Sequence, residues 1–317
     1  MRSTEQIRNV VLVGHNASGK TSLAEALLFR AGAIARPGTV EKGSTVMDHD
    51  PEERDRRQSI SMSVASFDWN DRRINLLDTP GYADFRGEAL LGLAAADLAV
   101  FVIDGVAGVQ SQDVLLWRRA AEMGIPRILF VNKLDRERSS FDRTLAQVRE
   151  VFGSHADPTE LPIGEESSFH GVTDVLTHHA LVYDSGRAEP AEVPAELADA
   201  ERAEHVHLVE DVIELDDELL EQDLAGDEPS PAQLEHLLHD AVDRALAFPV
   251  LCGSPTAPLG ADQPADFRRR LGHAHGDRGA AAVEAAGGVS DGAGDPDGPP
   301  LVRVVGPRVE VGGGGGG

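Results

Sequence analysis

Four short strings carry residue types at spacings that could grip a nucleotide: Gly14-His15-Asn16-Ala17-Ser18-Gly19-Lys20-Thr21, Asp78-Thr79-Pro80-Gly81-Tyr82, Asn132-Lys133-Leu134-Asp135 and Cys252-Gly253-Ser254. In the first, Gly14 and Gly19 bracket a turn whose backbone N–H groups can close around phosphate oxygens. Lys20 then offers a point charge to β- and γ-phosphates, and the Thr21 hydroxyl one position on Mg²⁺. In the second, Asp78 suits an outer-sphere Mg²⁺ ligand, and Gly81 lets its N–H approach a γ-phosphate closely. On its own, Asp-Thr-Pro-Gly is also ordinary turn chemistry. The third string chooses the base. A carboxylate at Asp135 can accept both N–H donors on the Watson–Crick edge of guanine, whereas adenine presents an acceptor at one of those positions. Lys133 is expected over the base, and Asn132 is expected to tie its loop to the phosphate loop. A surface Asn-Lys turn is the plainer alternative for this string.

These residues need elements to hold them. Asn9-Val10-Val11-Leu12-Val13 reads as a buried parallel strand, and Ser22 to Phe29 places apolar residues at helical spacing, so the first loop lies between strand and helix. There a helix N-terminus adds partial positive charge to the phosphates, and a chance glycine-rich turn lacks that context. Ser61–Trp69, an Asn70-Asp71 turn and Arg73–Leu77 form a period-2 hairpin that ends on Asp78. Leu98–Ile103 and Arg127–Val131 are two more short apolar runs, and the second leads directly into Asn132.

At this point GHNASGKT, DTPGY-ADF, NKLD and PVLCGS resemble the nucleotide-binding domain of translation-factor GTPases, and among these the elongation factor G-like proteins. The resemblance covers about residues 7 to 260. It implies an α/β P-loop GTPase fold: a mostly parallel, doubly wound sheet with helices on both faces. It also implies GTP as substrate, GDP as product, Mg²⁺ as cofactor, and the ribosome, through rRNA and a stalk protein, as partner. The nucleotide set it implies is Gly14, His15, Asn16, Ala17, Ser18, Gly19, Lys20, Thr21, Ser22, Asn132, Lys133, Asp135, Gly253 and Ser254. The metal set is Thr21, Ser59 and Asp78, and the catalytic set is Tyr82, Lys20 and Gly81. The long interval between NKLD and CGS fits a subdomain inserted there in elongation factor G.

The departures from the pattern bear on chemistry. Ala17 stands where the family usually has Asp near a monovalent cation. Arg56-Arg57-Gln58-Ser59-Ile60 replaces Arg-Gly-Ile-Thr-Ile, and Ser59 keeps the hydroxyl that the family's Thr gives to Mg²⁺, with a looser rotamer. Tyr82 replaces the His that positions the attacking water. A phenol can donate or accept a hydrogen bond, but unlike imidazole it does not become a cation at neutral pH. The replacement implies slow hydrolysis or a different dependence on a partner, although elongation factor G-like paralogues resemble this chain in carrying Tyr there. Pro255 stands where the family supplies a backbone N–H to the guanine carbonyl, and proline has none.

Composition bounds the surroundings. The chain has 317 residues, enough for one α/β domain and a smaller attachment. The single cysteine, Cys252, ends an apolar run and reads as a small buried hydrophobe in a reduced cytoplasmic protein. No signal-length or membrane-length apolar stretch occurs. With 29 basic against 54 acidic residues the formal net charge is −25, which predicts little affinity for free nucleic acid. Much of the acid lies in 184–240, where Leu and Val at helical spacing suggest an amphipathic helix with an acidic outer face, either solvated or a docking surface for the stalk protein. His178 and His179 are adjacent and point apart, and His205 and His207 fall on different helix faces, so no zinc site is expected from them. Arg54-Asp55-Arg56-Arg57 reads as balancing Asp48, Asp50, Glu52 and Glu53, or as an rRNA contact.

The expected organisation is a GTP-binding domain at 1–154 and 248–266, an acidic helical insertion at 155–247 and a disordered low-complexity tail at 267–317, in a monomer truncated relative to elongation factor G. Two further readings stay open. One is a GTP-binding interaction module with poor turnover. The other, an adenine-using enzyme, is opposed by Asp135.

Overall fold

A computed structural model describes residues 6–69, 72–184, 187–226 and 229–255. The Asn70-Asp71 turn, the end of the expected GTP-binding domain at 256–266 and the expected tail lie outside them. The first half builds a six-stranded sheet from β1 (Ile7–Val13), β2 (Ser63–Trp69), β3 (Arg72–Asp78), β4 (Leu98–Asp104), β5 (Arg127–Asn132) and β10 (Val250–Cys252). Its order is β10-β5-β4-β1-β3-β2, and every pairing is parallel except β2 with β3. Helices α1 (Lys20–Arg30), α3 (Arg86–Ala95), α4 (Ser111–Glu122) and α5 (Phe141–Phe152) connect these strands, and the short α2 (Pro51–Arg56) precedes β2.

Burial explains the strand sequences. Each residue of β4 and β5 is buried, as a parallel strand covered on both faces requires, so these strands read as unbroken apolar runs. Edge strand β2 instead alternates buried and half-buried positions over residues 63–67 and turns outward at Asp68. Beside the sheet, Trp117 stacks on Phe152 at 4.4 Å and meets Phe101 and Phe248 edge-on at 4.9 Å, while the Arg127 guanidinium lies 4.5 Å from the Trp117 and Phe248 ring centres.

The register puts the chemistry on one edge. Leu12 pairs with Asp78, Val13 with Phe101, and Asp104 with Asn132. Asp78, Asp104 and Asn132 therefore end the strands on either side of β1 and the next one beyond, at the level where the loop after Val13 begins. The chain moves from β1 to β3 on one side and to β4 on the other, so a crevice opens at the carboxyl end of β1.

Residues 155–247 are more than the helical insertion expected from sequence. Helices α6 (Ala198–Ile213), α7 (Asp217–Leu224) and α8 (Pro231–Asp243) are present, preceded by an antiparallel sheet of β6 (Glu160–Ile163), β7 (Gly171–Asp174), β8 (His179–Asp184) and β9 (Arg187–Ala191). These strands are short, and β9 tolerates Pro190 because it lies at the sheet edge. The acidic stretch is not one helix. Glu210 and Asp211 belong to α6, the helix breaks after Ile213, and Asp216 Oδ1 accepts the Leu219 N–H to start α7. The insertion is sewn to the main sheet where the Val250 N–H donates to Asp157 O and the Thr159 N–H to Val250 O.

Candidate functional site

The loop after β1 is held in a shape that few residues allow. Gly19 has φ 96°, and a Cβ there would lie 2.2 Å from Asn132 Nδ2. Ala17, a non-glycine residue, takes φ 59°. Asn132 Nδ2 donates to Ser18 O at 2.8 Å, and Lys133 Nζ donates to Ala17 O at 2.6 Å and pairs with Asp104 Oδ2 at 2.6 Å. Burial would raise the Asp104 carboxyl, but Lys133 and the N–H groups of Val106 and Ala107 hold it below the usual range. On the other flank, the His15 N–H donates to buried Asp113 Oδ1 at 2.7 Å. Lys20 Nζ folds back on Gly14 O and His15 O at 3.1 and 2.9 Å, and burial lowers its pKa to about 8 against the pull of Asp78 and Asp113.

A second cluster gathers hydroxyls and carboxylates. Thr21 Oγ1 and Ser59 Oγ lie 3.3 Å apart, and the Ser59 hydroxyl donates to Asp48 Oδ1 at 2.7 Å. Asp78 is buried beside them, its pKa raised to about 7 by burial, with Thr21 and Lys20 opposing. Its Oδ1 is buried without a hydrogen-bond partner. Two hydroxyls, an unpartnered carboxylate oxygen and Asp48 form a hard oxygen donor set that fits Mg²⁺. The segment carrying Ser59 is pinned by Glu53, which accepts the N–H groups of Ile60 and Ser61 at 2.9 and 3.1 Å. Glu25 likewise accepts the N–H groups of Gly38 and Val46.

One cleft of about 990 Å³ runs from the phosphate loop to Asp135. Asn16, Ala17, Gly19, Lys20, Thr21, Ser22, Ser59, Gly81, Tyr82, Asn132, Lys133 and Asp135 line it, and so does Pro255. Gly81 packs so closely on the loop that an added Cβ would lie 2.6 Å from the Asn16 backbone. Tyr82 is 39 % exposed. Asp135 Oδ2 lies 3.6 Å from Arg136 Nε, and Asp135 Oδ1 is buried with no hydrogen-bond partner. Gly14, His15, Ser18, Asp78, Gly253 and Ser254 are not among its lining residues. The Gly253 N–H donates to Val131 O at 3.0 Å, and Ser254 is fully buried.

A cleft with a loop of N–H donors and a lysine at one end, and an unsatisfied carboxylate at the other, has the dimensions and polarity of a purine nucleotide site. Comparison with known proteins agrees: a family model described as the elongation factor Tu GTP binding domain matches residues 5–263. The chain belongs to that family. Elongation factor G of Mycoplasma pneumoniae is 36 % identical over 250 residues, covering 78 % of this chain and 36 % of that protein. The mitochondrial ribosome-releasing factor 2 of Yarrowia lipolytica is 36 % identical over 271 residues, covering 81 % and 34 %. A crystal structure of a Thermus thermophilus protein superposes with a TM-score of 0.76 at 38 % identity, covering 81 % of this chain and 39 % of that one. The chain thus spans about a third of the length of the curated relatives it matches.

Sequence reasoning missed the positioning carboxylates Asp48, Asp104 and Asp113, together with Glu25 and Glu53. Asp104 gave a readable signal, since like Asp78 it ends an apolar strand run. The other four reach atoms 7 to 98 positions away through irregular segments that no periodic pattern marks. Arg54 and Arg56 are used locally: Arg54 Nε donates to Asp48 O at 2.9 Å, and Arg56 pairs with Glu52 at 2.6 Å. Cys252 is buried, and burial together with Glu160 pushes its thiol well above the usual range. No helix among the described residues is long and apolar enough to cross a membrane.

Proposed function

We propose that this chain binds GTP in the cleft between the 14–19 loop and Asp135 and hydrolyses it to GDP and phosphate, as the nucleotide-binding part of an elongation factor G-like factor that works on the ribosome. The observation that carries the reading is the buried, unpartnered Asp135 Oδ1 at one end of a cleft whose other end holds Lys20. The carboxylate of Asp135 accepts the guanine N–H donors, and Lys133 and Asn132 fix its loop against the phosphate loop. The N–H groups of residues 16–21 and the charge of Lys20 face the phosphates. Thr21 and Ser59 would hold Mg²⁺ directly and Asp78 through water, and the ion would neutralise charge on the phosphates. The Gly81 N–H lies near the position of the γ-phosphate, and Tyr82 orients the attacking water. That water's oxygen bonds to the γ-phosphorus as the bond to the bridging oxygen breaks, leaving GDP, and its proton passes to the released phosphate or solvent. The ribosomal stalk as a partner, action as a monomer and a cytoplasmic location belong to the same proposal, and the bacterial relative supports the location.

Calorimetry with GDP, GTP and ATP, followed by single-turnover hydrolysis with and without ribosomes, tests it. GTP binding that ATP does not displace, with turnover stimulated by ribosomes, is the expected result. A chain that prefers ATP would overturn it. Pro255 in the cleft wall favours a second reading, a GTP-gated interaction module with little turnover, for which hydrolysis stays unstimulated although GTP binds.

A further inference from the structure

The insertion meets the main domain at a second cluster of ligand atoms. Asp157 leaves the loop after α5, and His207 and Asp211 project from one face of α6, four residues apart. One ligand atom from each lies within 4.8 Å of the other two. His207 Nδ1 is 3.0 Å from Asp157 Oδ1 and 3.8 Å from Asp211 Oδ2, and His155 Nδ1 is 2.9 Å from the same Asp211 oxygen.

The cluster is built and unsatisfied. The Asp157 side chain is 1 % exposed, yet its Oδ2 has no hydrogen-bond partner, and His207 Nδ1 has none of acceptable geometry despite its short distances. Among the described residues, Arg149 is the fixed cation beside it. Its guanidinium is engaged at 2.7 and 3.1 Å with both oxygens of Glu204 and reaches Asp157 Oδ1 only at 3.5 Å. Asp211 thus has the rim histidine His155 as its partner, while buried Asp157 facing it has only part of the Arg149 cation, an arrangement that costs free energy unless a further positive charge enters. Ligand atoms around a tetrahedral zinc-type ion with bonds near 2.0–2.1 Å stand about 3.3 Å apart, and the observed 3.0 and 3.8 Å bracket that spacing.

We propose that Asp157, His207 and Asp211, with His155 at the rim, bind one divalent cation of the zinc class. Imidazole and carboxylate together suit Zn²⁺ and Co²⁺ better than the all-oxygen preference of Mg²⁺. Asp157 accepts the Val250 N–H at 2.8 Å through its backbone carbonyl, so the ion clamps α6 to the strand that leads into Gly253-Ser254. Its role is structural, holding the insertion against the edge of the main sheet.

The test uses the full chain, stripped with a chelator and titrated with Zn²⁺ by calorimetry in excess Mg²⁺, which occupies the oxygen sites of the large cleft. One Zn²⁺ per chain is expected, with the affinity falling at least tenfold in both His207→Ala and Asp211→Asn. His179→Ala, an exposed histidine bonded to the Thr177 carbonyl, leaves it unchanged. Co²⁺ should give the visible absorption of a four-coordinate site in the parent chain and lose it in His207→Ala. Unaltered far-ultraviolet circular dichroism of that variant separates ligand loss from unfolding. Equal Zn²⁺ affinity in the parent chain and His207→Ala, or no binding to either, overturns the proposal. Neither readout uses nucleotide, so their failure leaves the GTP reading untouched.

Discussion

At the scale of single residues, the cleft turns on groups that lack a partner. Asp135 Oδ1 has none among the described residues, and replacing Asp135 by Asn offers guanine a donor where it needs an acceptor. Asp135→Asn should weaken GDP binding about a hundredfold, close to 2.7 kcal/mol, while far-ultraviolet dichroism stays the same. Affinity within threefold of the parent chain would remove Asp135 from the base site. Pro255 acts in the opposite sense: it lines the cleft and cannot donate a backbone hydrogen bond. Pro255→Ala should tighten GDP binding by about 1–3 kcal/mol, roughly ten- to a hundredfold; indistinguishable dissociation constants reject this. Tyr82, half open to solvent in the same wall, is the third such residue. In ribosome-stimulated hydrolysis Tyr82→Phe should be slower than the parent and Tyr82→His at least as fast, and equal rates in all three would end its role in orienting water.

At the scale of elements, the loops are held by carboxylates borrowed from helices: Glu25 from α1, Glu53 from α2 and Asp113 from α4. Each accepts backbone N–H groups that the irregular segments cannot satisfy themselves. Helix α8 carries the opposite case. His239 is buried to 4 % exposure with Nε2 unpartnered, and burial beside His236 lowers its pKa to about 3. In the folded chain it stays neutral down to that pH, whereas unfolded it takes up a proton near pH 6.5. Between these values the unfolded state holds more protons, so His239 makes stability fall as pH falls, by up to about 1.4 kcal/mol per pH unit. His239→Leu should therefore flatten the decline of urea midpoints between pH 6.5 and 5. Parallel declines for both proteins would show that His239 does not drive it.

At the scale of the whole molecule, charge opposes the proposed partner. A formal net charge of −25 repels phosphate backbones, so docking on a ribosome must rest on specific surfaces and protein contacts rather than on general attraction to RNA. Fluorescence anisotropy with short rRNA hairpins at 150 mM salt should show no binding in the micromolar range. Micromolar affinity there would argue for a basic RNA face that the sequence lacks. The exposed Glu221, Gln222, Asp223 and Leu224 of α7 give the insertion an acidic rim, which suits the stalk-docking role proposed for it.

The sequence alone determined the central sheet and the contents of the cleft, because both are local. Buried parallel strands read as apolar runs, and a phosphate loop is a continuous string between strand and helix. Lys20, Thr21, Asn132 and Asp135, which line the cleft, and Asp78 beside it could each be placed from their immediate neighbours. What only the tertiary structure decided involves pairs far apart in the chain. The insertion sheet was hidden because its strands are only four to six residues long, too short for an alternating pattern to stand out. Asp113 beside His15, and Asp157 beside His207, are joined by folding over 98 and 50 positions, and hydrogen bonding and burial at such separations leave no trace in spacing. His207 shows the difference most directly: read along α6 it has only Asp211 four residues on, and the approach of the loop after α5 supplies the buried Asp157.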